Sequence, residues 1–285
     1  MLIIDNPTQL RAEIKKLRQQ GQTIALVPTM GNLHAGHIKL VDAAFQKASI
    51  VIVSIFVNPM QFNNADDLAN YPRVIESDCK SLKKAGVYAV FTPANEIIYP
   101  RGHDVQTYVE VPEISNALEG KLRPGHFRGV STIINKLFNL VQPDYACFGR
   151  KDFQQLIIIQ QMVSDLNMPI EIIPVDTQRE KSGLAMSSRN KNLSENEMKK
   201  APFLSKVMNQ LARDVKKNII PHAQLIADAS ELLDNNGFKT DVLYIIDTTT
   251  LKPVTFDTKD VVVLMAAFLG TTRLIDNEIV HGHQT

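Results

Sequence analysis

Residues 23–48 read TIALVPTMGNLHAGHIKLVDAAFQKA. The apolar run at 23–27 predicts a strand, and apolar residues at three- and four-residue spacing over 38–48 predict a helix. Between the two lies the turn PTMGNLHAGH, at 28–37. A helix N-terminus carries free N–H groups and a partial positive charge, so the turn before it is a natural place for phosphates. The order of strand, turn and helix therefore predicts an α/β fold that holds an anion at this turn.

Two histidines stand at the start of the predicted helix. His34 and His37 lie three residues apart on one side of the first turn, where both can donate to phosphate oxygens. Gly36 lacks a Cβ atom, so a base or a phosphate can approach the backbone closely. Taken alone, a His pair at a helix start is more often a cap or an ordinary surface feature. The strand and the Pro-Thr-Met-Gly turn before the pair favour nucleotide binding instead.

The same alternation of strand and helix continues along the N-terminal part of the chain. Further strands are predicted at 50–57, 88–92, 144–148 and 170–175, and further helices at 75–85, 131–141 and 153–165. Strands that alternate with helices are most simply accommodated in a parallel sheet with helices on both faces. We therefore predict a parallel-sheet domain over residues 1–177.

The pattern changes after residue 177. Two amphipathic helices, at 201–217 and 222–235, precede strands at 242–246, 261–268 and 273–275. Helices followed by a run of strands indicate a smaller α+β unit. We place this second domain at 178–285.

Composition excludes several classes of function. Lys and Arg number 31 against 30 for Asp and Glu, and a net charge of +1 provides no field to attract nucleic acid or an anionic membrane. The longest apolar run, Val261–Leu269, is about half the ~20 residues that a membrane helix needs, so it predicts a buried strand. The N-terminus lacks the features of a signal peptide, and Cys79 and Cys147 lack metal-ligand or disulfide spacing. We expect a cytoplasmic protein without nucleic-acid or membrane partners.

A second motif, FVNPMQF, follows the strand at 50–57. Ligands in open α/β sheets bind outside the carboxyl ends of the strands, which is where Gln61 is expected. Its amide offers a donor and an acceptor to a substrate with hydroxyl and carboxylate groups. Taken alone, a Gln after Asn-Pro is more often a turn residue than a ligand.

A third motif, GRKD at 149–152, lies between a strand and a helix. Lys151 is placed to meet a phosphate, and Gln155 lies one helical turn further on, directed toward the same edge of the sheet. The alternative is a solvated loop in which Asp152 caps the helix. Without the other motifs, that alternative would be favoured.

A fourth motif, GLAMSSRN at 183–190, places two hydroxyls and a guanidinium in sequence at the join between the predicted domains. Such a group forms a compact anion clamp, and a hinge there would close over a nucleotide and exclude water. The same letters also fit an ordinary capping box before the next helix. Their occurrence together with His-x-Gly-His favours the clamp.

These motifs resemble a known family. His-x-Gly-His at this place is similar to the signature of nucleotidylyl transferases and class I aminoacyl-tRNA synthetases. More closely, seven segments resemble the pantothenate synthetase, or pantoate–β-alanine ligase, family in order and spacing. They are PTMGNLHAGH, FVNPMQF, NYPR, RPGHFRGVSTIINKLFNLVQPDYACFG, KDFQQL, GLAMSSRN and TRLIDN. They cover most of the N-terminal domain and the start and end of the second.

The resemblance implies a Rossmann-like N-terminal domain, a smaller α+β C-terminal lid domain, a homodimer, and dependence on ATP with Mg²⁺. It also implies a reaction. The carboxylate of (R)-pantoate attacks the α-phosphate of ATP, which gives pantoyl adenylate and pyrophosphate. The amine of β-alanine then displaces AMP to form pantothenate.

Carried over by motif, the resemblance implies catalytic roles for His34, His37 and Lys151. The residues that would bind ATP are Met30, Gly31, Asn32, Leu33, His34, Ala35, Gly36, His37, Gly149, Arg150, Lys151, Asp152, Gln178, Met186, Ser187, Ser188 and Arg189. Gln61, Gln155 and Arg123 would bind pantoate, and Asp78 would bind Mg²⁺. Arg150 stands where the family often has Glu, and Ser77 stands where some relatives have an acid.

Other classes stay open on the residues alone. Another His-x-Gly-His nucleotidylyl transferase, acting on phosphopantetheine or nicotinate mononucleotide, would transfer AMP and stop, but it leaves FVNPMQF and KDFQQL without a role. A nucleotide-binding sensor that has lost catalysis is a second alternative, against which the intact His, Lys, Gln and Ser-Arg positions speak. A tRNA synthetase is disfavoured, because 285 residues contain no evident anticodon-binding domain or basic surface.

Overall fold

The computed structural model describes residues 1–282 and divides into two units, Met1–Asp176 and Thr177–Thr285. The strands of the first unit are β1 (Leu2–Ile4), β2 (Ile24–Thr29), β3 (Ile50–Ile55), β4 (Ala89–Phe91), β5 (Tyr145–Gly149) and β6 (Glu171–Val175). Its α-helices are α1 (Pro7–Gln19), α2 (Ala35–Phe45), α3 (Ala65–Ala69), α4 (Ile75–Lys84), α5 (Asn95–Ile98), α6 (Glu119–Leu122), α7 (His126–Val141) and α8 (Phe153–Asp165).

The strands of the first unit form one six-stranded sheet in the order β1-β4-β3-β2-β5-β6. Every neighbouring pair in it is parallel. The chain runs from β2 to β3 in one direction across the sheet and later returns to place β5 on the other side of β2. The prediction of an α/β fold with a Rossmann-like parallel sheet is confirmed.

Each central strand is buried on both faces. In β2, Ile24 and Leu26 join the hydrophobic core that α1, α7 and α8 cover, whereas Ala25 and Val27 join the core that α2 and α4 cover. Successive side chains of a strand point to opposite faces, so a strand between two helical layers needs apolar residues at every position. That requirement explains why these strands occur in the sequence as continuous apolar runs.

The first unit differs from the sequence prediction in several elements, among them α1 and the short helices α3, α5 and α6, which were not predicted. Helix α7 begins at His126 rather than at 131, because the side chains of His126, Phe127 and Val130 are buried and extend its apolar face. Glycine disfavours a helix, but packing requires it at Gly129: a Cβ atom there would lie 2.4 Å from the carbonyl oxygen of Met60. Strand β1 was not predicted, since it has three residues at the sheet edge.

Within residues 177–282, the second unit contains three α-helices and three strands. They are α9 (Glu195–Lys200), α10 (Pro202–Lys217), α11 (His222–Asp234), β7 (Phe238–Asp247), β8 (Val261–Leu269) and β9 (Thr272–Val280). The strands form an antiparallel sheet in the order β7-β8-β9. Alternate residues of β8 share a hydrophobic core with buried residues of α10 and α11, which confirms the predicted α+β character.

Two predictions for the second unit concern strand extent and membranes. The run Val261–Leu269 forms the buried strand that was predicted, and it is the central strand of this sheet. Strand β9 extends well beyond the predicted 273–275, because it pairs with β8 along its whole length. Among the helices within residues 1–282, none combines the length and the apolar character needed to cross a bilayer.

Candidate active site

Three loops that carry the predicted site residues of the first unit leave the same edge of the sheet. They follow β2, β3 and β5, which are neighbours in the parallel sheet. The crevice between β2 and β5 lies where the order of the strands reverses, and this is the place where open α/β sheets bind ligands. The fold therefore brings residues 30–37, 58–61 and 149–152 to one edge.

The turn between β2 and α2 is held by two side chains, those of Asp78 and Thr29. The carboxylate of Asp78 on α4 accepts the backbone N–H of Asn32 at Oδ2 and that of Leu33 at Oδ1, both at 2.8 Å. The N–H of Gly31 donates to Oγ1 of Thr29 at 3.2 Å. Gly31 and Asn32 have φ angles of 81° and 52°, the left-handed region that most side chains disfavour. Asp78, which is buried, thus stabilises a strained turn directly before the two histidines.

His34 and His37 cap α2 reciprocally. Nδ1 of His34 accepts the N–H of Gly36 at 3.1 Å, and Nδ1 of His37 accepts the N–H of His34 at 3.2 Å. The ring centroids are 4.1 Å apart. The sequence suggested that free backbone N–H groups at this helix start would meet a phosphate, but the imidazoles accept two of them.

These bonds fix the tautomer of both rings. Because each Nδ1 accepts a hydrogen bond from a backbone N–H, the neutral ring carries its proton on Nε2. Burial, together with the neighbouring His34, lowers the pKa of His37 from 6.5 to about 3. At neutral pH, His37 is therefore a neutral donor that presents Nε2–H. In each imidazole, Nδ1 accepts a backbone N–H at the start of the helix, and Nε2–H of the same ring becomes the donor offered in its place.

The loop after β5 lies within electrostatic reach of His37. Asp152 raises the pKa of that imidazole and Lys151 lowers it, although both effects are smaller than that of burial. Asp152 occupies the N-cap position of α8, but its side chain makes no capping hydrogen bond. The loop thus lacks the side-chain cap proposed in the alternative interpretation.

The neighbours of Lys151 occupy distinct positions. Gly149 ends β5, and Nε of Arg150 lies 3.0 Å from a carboxylate oxygen of Asp176. Gln155 is partly buried on α8, and its side chain makes no hydrogen bond within residues 1–282. The amide of Gln155 is therefore available to a ligand.

Gln61 is held on several sides. Its Oε1 accepts a hydrogen bond from Nδ2 of Asn58 at 3.1 Å, and its Nε2 donates to the sulfur of Met30 at 2.9 Å. Its backbone carbonyl oxygen accepts from Nη2 of Arg123 at 3.3 Å and lies 2.7 Å from Nδ1 of His126. The structure thus brings Met30, Gln61 and Arg123 together, with Arg123 supporting the backbone of the Gln61 turn.

Sequence reasoning gave no role to Asn58 or Tyr99. Asn58 is buried, and its Oδ1 accepts a hydrogen bond from the hydroxyl of Tyr99 at 2.7 Å. A polar residue directly after a buried strand was a usable signal for Asn58. Tyr99 carries no comparable signal, because it lies 41 residues away in the sequence.

The second unit carries the remaining predicted residues. The N–H of Met186 donates to the carbonyl of Gln178 at 2.9 Å. Oγ of Ser187 accepts the N–H of Arg189 at 3.2 Å, whereas the hydroxyl of Ser188 and the guanidinium of Arg189 have no partner within residues 1–282. The capping box before α9 is formed by Ser194 and Glu197. Residues 183–190 are therefore not that capping box.

The geometry does not fit a protein-built magnesium site. Both carboxylate oxygens of Asp78 accept backbone N–H groups of the turn. Within residues 1–282, no group of three or more His, Cys, Asp or Glu side chains is arranged to hold a metal ion. The assignment of Mg²⁺ to Asp78 stays a prediction.

The chain is similar to known proteins along nearly its whole length. The family model described as Pantoate-beta-alanine ligase matches residues 2–279. The chain is 66% identical over 280 residues to the pantothenate synthetase of Psychromonas ingrahamii, covering 98% of this chain and 97% of that protein. The crystal structure of pantothenate synthetase from Thermus thermophilus matches with a TM-score of 0.90 and 39% identity, over 99% of this chain and 100% of that one. Pantoate-beta-alanine ligase from Francisella tularensis, complexed with beta-gamma ATP and beta-alanine, matches with a TM-score of 0.81 and 36% identity, over 98% and 97%.

Proposed function

The chain belongs to the pantoate-beta-alanine ligase family, a family of ligase-class enzymes, and from that premise we propose that it uses ATP to condense (R)-pantoate with β-alanine. The observation that carries the proposal is the pair of neutral imidazoles, His34 and His37, whose Nε2–H groups serve as fixed donors at the switch point of the sheet. Support for the substrates comes from the relative complexed with beta-gamma ATP and beta-alanine.

In the first half-reaction, the carboxylate of pantoate attacks the α-phosphate of ATP, forming pantoyl adenylate and releasing pyrophosphate. Two anions must be placed in line, so the main requirement is to position them and stabilise negative charge. The carboxylate is already ionised at neutral pH, and no proton has to be removed from it. Neutral donors on His34 and His37, together with the ammonium of Lys151, stabilise negative charge on the phosphates, and no general base is needed in this step.

Pantoate binds beside this group, between Gln61 and Gln155. Gln61 is held through its Oε1 and its backbone, and one of its two Nε2–H groups donates to the sulfur of Met30, so the other Nε2–H is the one directed to a substrate oxygen. Gln155 contributes an amide that makes no hydrogen bond within residues 1–282. Arg123 acts through the turn that carries Gln61 and adds positive charge beside it.

ATP contacts two further groups of residues in this proposal. Residues 30–37 and 149–152 bind its phosphates in the first unit. In the second unit, the backbone at Gln178 meets the adenine, and Met186, Ser187, Ser188 and Arg189 bind phosphate oxygens. The hydroxyl of Ser188 and the guanidinium of Arg189, which have no partner within residues 1–282, support that assignment.

In the second half-reaction, the free amine of β-alanine attacks the acyl carbon of the adenylate. An amide bond forms, the bond between the acyl carbon and the phosphate oxygen breaks, AMP leaves, and the proton lost by the amine passes to solvent. The products over the whole cycle are pantothenate, AMP and pyrophosphate. We propose a cytoplasmic homodimer as the working form, which sedimentation of the purified protein and cell fractionation would test.

One assay separates this proposal from the alternatives. We expect pyrophosphate release with ATP and pantoate alone, and AMP release only when β-alanine is added. A nucleotidylyl transferase would instead accumulate a stable adenylated product that β-alanine does not affect. A nucleotide sensor would bind ATP and release neither product, which would contradict the proposal.

A further inference from the structure

A buried carboxylate in the second unit lies among four hydrogen-bond donors. Asp276 lies on β9. Its Oδ2 accepts a hydrogen bond from Nη1 of Arg179 at 2.6 Å, and its Oδ1 accepts one from Nη2 of Arg179 at 2.9 Å. The hydroxyl of Ser205 on α10 donates to Oδ2 at 3.0 Å, and the N–H of Asn277 donates to Oδ1 at 2.8 Å. Asp276 is only 3% exposed.

Such a pair is not explained by stability alone. Removing two charges from water is costly, and apolar residues of similar volume often stabilise a protein as well or better. A bidentate guanidinium–carboxylate pair does, however, define the position and orientation of both groups closely. The pair therefore holds the Arg179 side chain in one position and orientation.

Arg179 lies in a hairpin formed by residues 178–186. Its backbone pairs with that of Ala185, and Glu180 N–H donates to the carbonyl of Leu184 at 2.8 Å. Nη1 of Arg179 also donates to the carbonyl of Gly183 at 3.2 Å, across the tip of the hairpin. The guanidinium thus bonds both to its own hairpin and to the sheet.

The two ends of this hairpin carry the residues assigned to ATP in the second unit. Gln178 opens the first arm, and Met186 closes the second with a hydrogen bond to the carbonyl of Gln178. Ser187 to Arg189 follow directly, and Nδ2 of Asn190 fixes that turn to the carbonyl of Ala185 at 3.1 Å. A displacement of Arg179 would therefore move both ends together.

We propose that Arg179 and Asp276 are positioning residues for ATP: the ion pair seats the hairpin on β9 and α10 so that Gln178 and residues 186–189 meet the nucleotide. The inference rests on the proposed function of those residues. Neither member of the pair contacts substrate in this scheme. Loss of the pair affects ATP binding and leaves pantoate binding unchanged.

The test compares Asp276→Asn with Asp241→Asn. The control removes the charge from a second ion pair of the same sheet, Arg273–Asp241 at 2.7 Å, which lies outside the hairpin. Isothermal calorimetry with a non-hydrolysable ATP analogue gives the dissociation constant, and pyrophosphate release gives KM for ATP and for pantoate. We expect Asp276→Asn to raise the ATP dissociation constant and KM on the order of tenfold, with KM for pantoate and the control unchanged.

Two further variants keep the inference testable. Arg179→Lys retains the charge but not the bidentate geometry, so we expect an intermediate loss of ATP affinity. Ser205→Ala removes one hydrogen bond and keeps the ion pair, and it carries the test if Asp276→Asn does not fold. A purely structural role would lower Tm and leave the ATP dissociation constant at the wild-type value, which would overturn the inference. If the wild-type protein itself fails to release pyrophosphate, the proposed function fails instead.

Discussion

The hydroxyl of Tyr99 donates to Oδ1 of Asn58 across 2.7 Å, and this bond helps to orient the Asn58 amide beside Gln61. Amide oxygen and nitrogen are assigned from their hydrogen-bond network. The other end of the Asn58 amide lies 3.0 Å from the carbonyl oxygen of Gly129, which can only accept, so that end is Nδ2. Gln61 then accepts from Asn58 through Oε1, and of its two Nε2–H groups one donates to the sulfur of Met30 and the other can donate to a ligand oxygen.

Tyr99→Phe tests this chain of positioning. Burial raises the pKa of Tyr99, so the hydroxyl keeps its proton and serves as a donor. Its removal frees the Asn58 amide to rotate, and loss of about 1 kcal/mol corresponds to a rise of about fivefold in KM for pantoate. We expect KM for ATP to stay unchanged.

The matched control for Tyr99→Phe is Tyr145→Phe. Tyr145 begins β5, at the end of the strand opposite the proposed site. Steady-state kinetics with each substrate varied in turn provide the measurement. An equal rise in both KM values, or a rise in the control, would contradict the positioning role.

Asp78→Asn separates a structural from a metal-binding role for this carboxylate. Asn has one acceptor oxygen, so it cannot accept both the N–H of Asn32 and that of Leu33, and the turn before His34 loosens. Loss of one hydrogen bond to a charged group amounts to about 2 kcal/mol. We expect a lower Tm and pyrophosphate release slower by on the order of tenfold, with an unchanged Mg²⁺ concentration for half-maximal rate.

Glu76→Gln on the same helix is the control, because Glu76 is exposed. Titration of Mg²⁺ at saturating ATP distinguishes the two roles. A shift to a much higher Mg²⁺ requirement in Asp78→Asn, absent from Glu76→Gln, would restore Asp78 as a metal ligand.

The contacts of Asp78 and Tyr99 could not be predicted from the sequence, whereas much of the fold could. The strands and the two large helices of the second unit follow local patterns, because burial on one or both faces leaves a periodic signature in neighbouring residues. The bond from Tyr99 to Asn58, like that from Arg179 to Asp276, joins residues far apart in the chain. Their pairing depends on the complete fold, so no local pattern contains it.

His37 offers a direct test of the donor role. His37→Ala removes Nε2–H, and we expect pyrophosphate release to slow by on the order of 10²-fold or more. Gln is common at this third helical position in capping boxes, where its Oε1 accepts the N–H of the capping residue. Its Nε2 remains a donor, so we expect His37→Gln to lose only about tenfold.

His37→Glu is the discriminating control. Glu also accepts the N–H of His34 and preserves the cap, but it offers no donor and adds negative charge near the phosphates. We expect it to be at least as slow as His37→Ala in a single-turnover assay with ATP and pantoate. Similar rates for His37→Gln and His37→Ala would show that the imidazole does more than donate one hydrogen bond.

The depressed pKa of His37 predicts how rate and stability depend on pH. The pKa falls from 6.5 to about 3 in the folded protein, so the unfolded chain binds more protons between those values. Stability from this residue is therefore complete above about pH 6.5 and declines as the pH falls toward 3. In thermal melts between about pH 4 and pH 7, we expect any Tm advantage of wild type over His37→Gln to shrink as the pH falls.

The same pKa predicts how the rate depends on pH. Between about pH 4 and pH 7, pyrophosphate release should not rise as the solution becomes more acidic, because His37 donates a hydrogen bond but does not act as a general acid. A rate increase with an apparent pKa near 6.5, absent from His37→Gln, would assign acid catalysis to His37 instead.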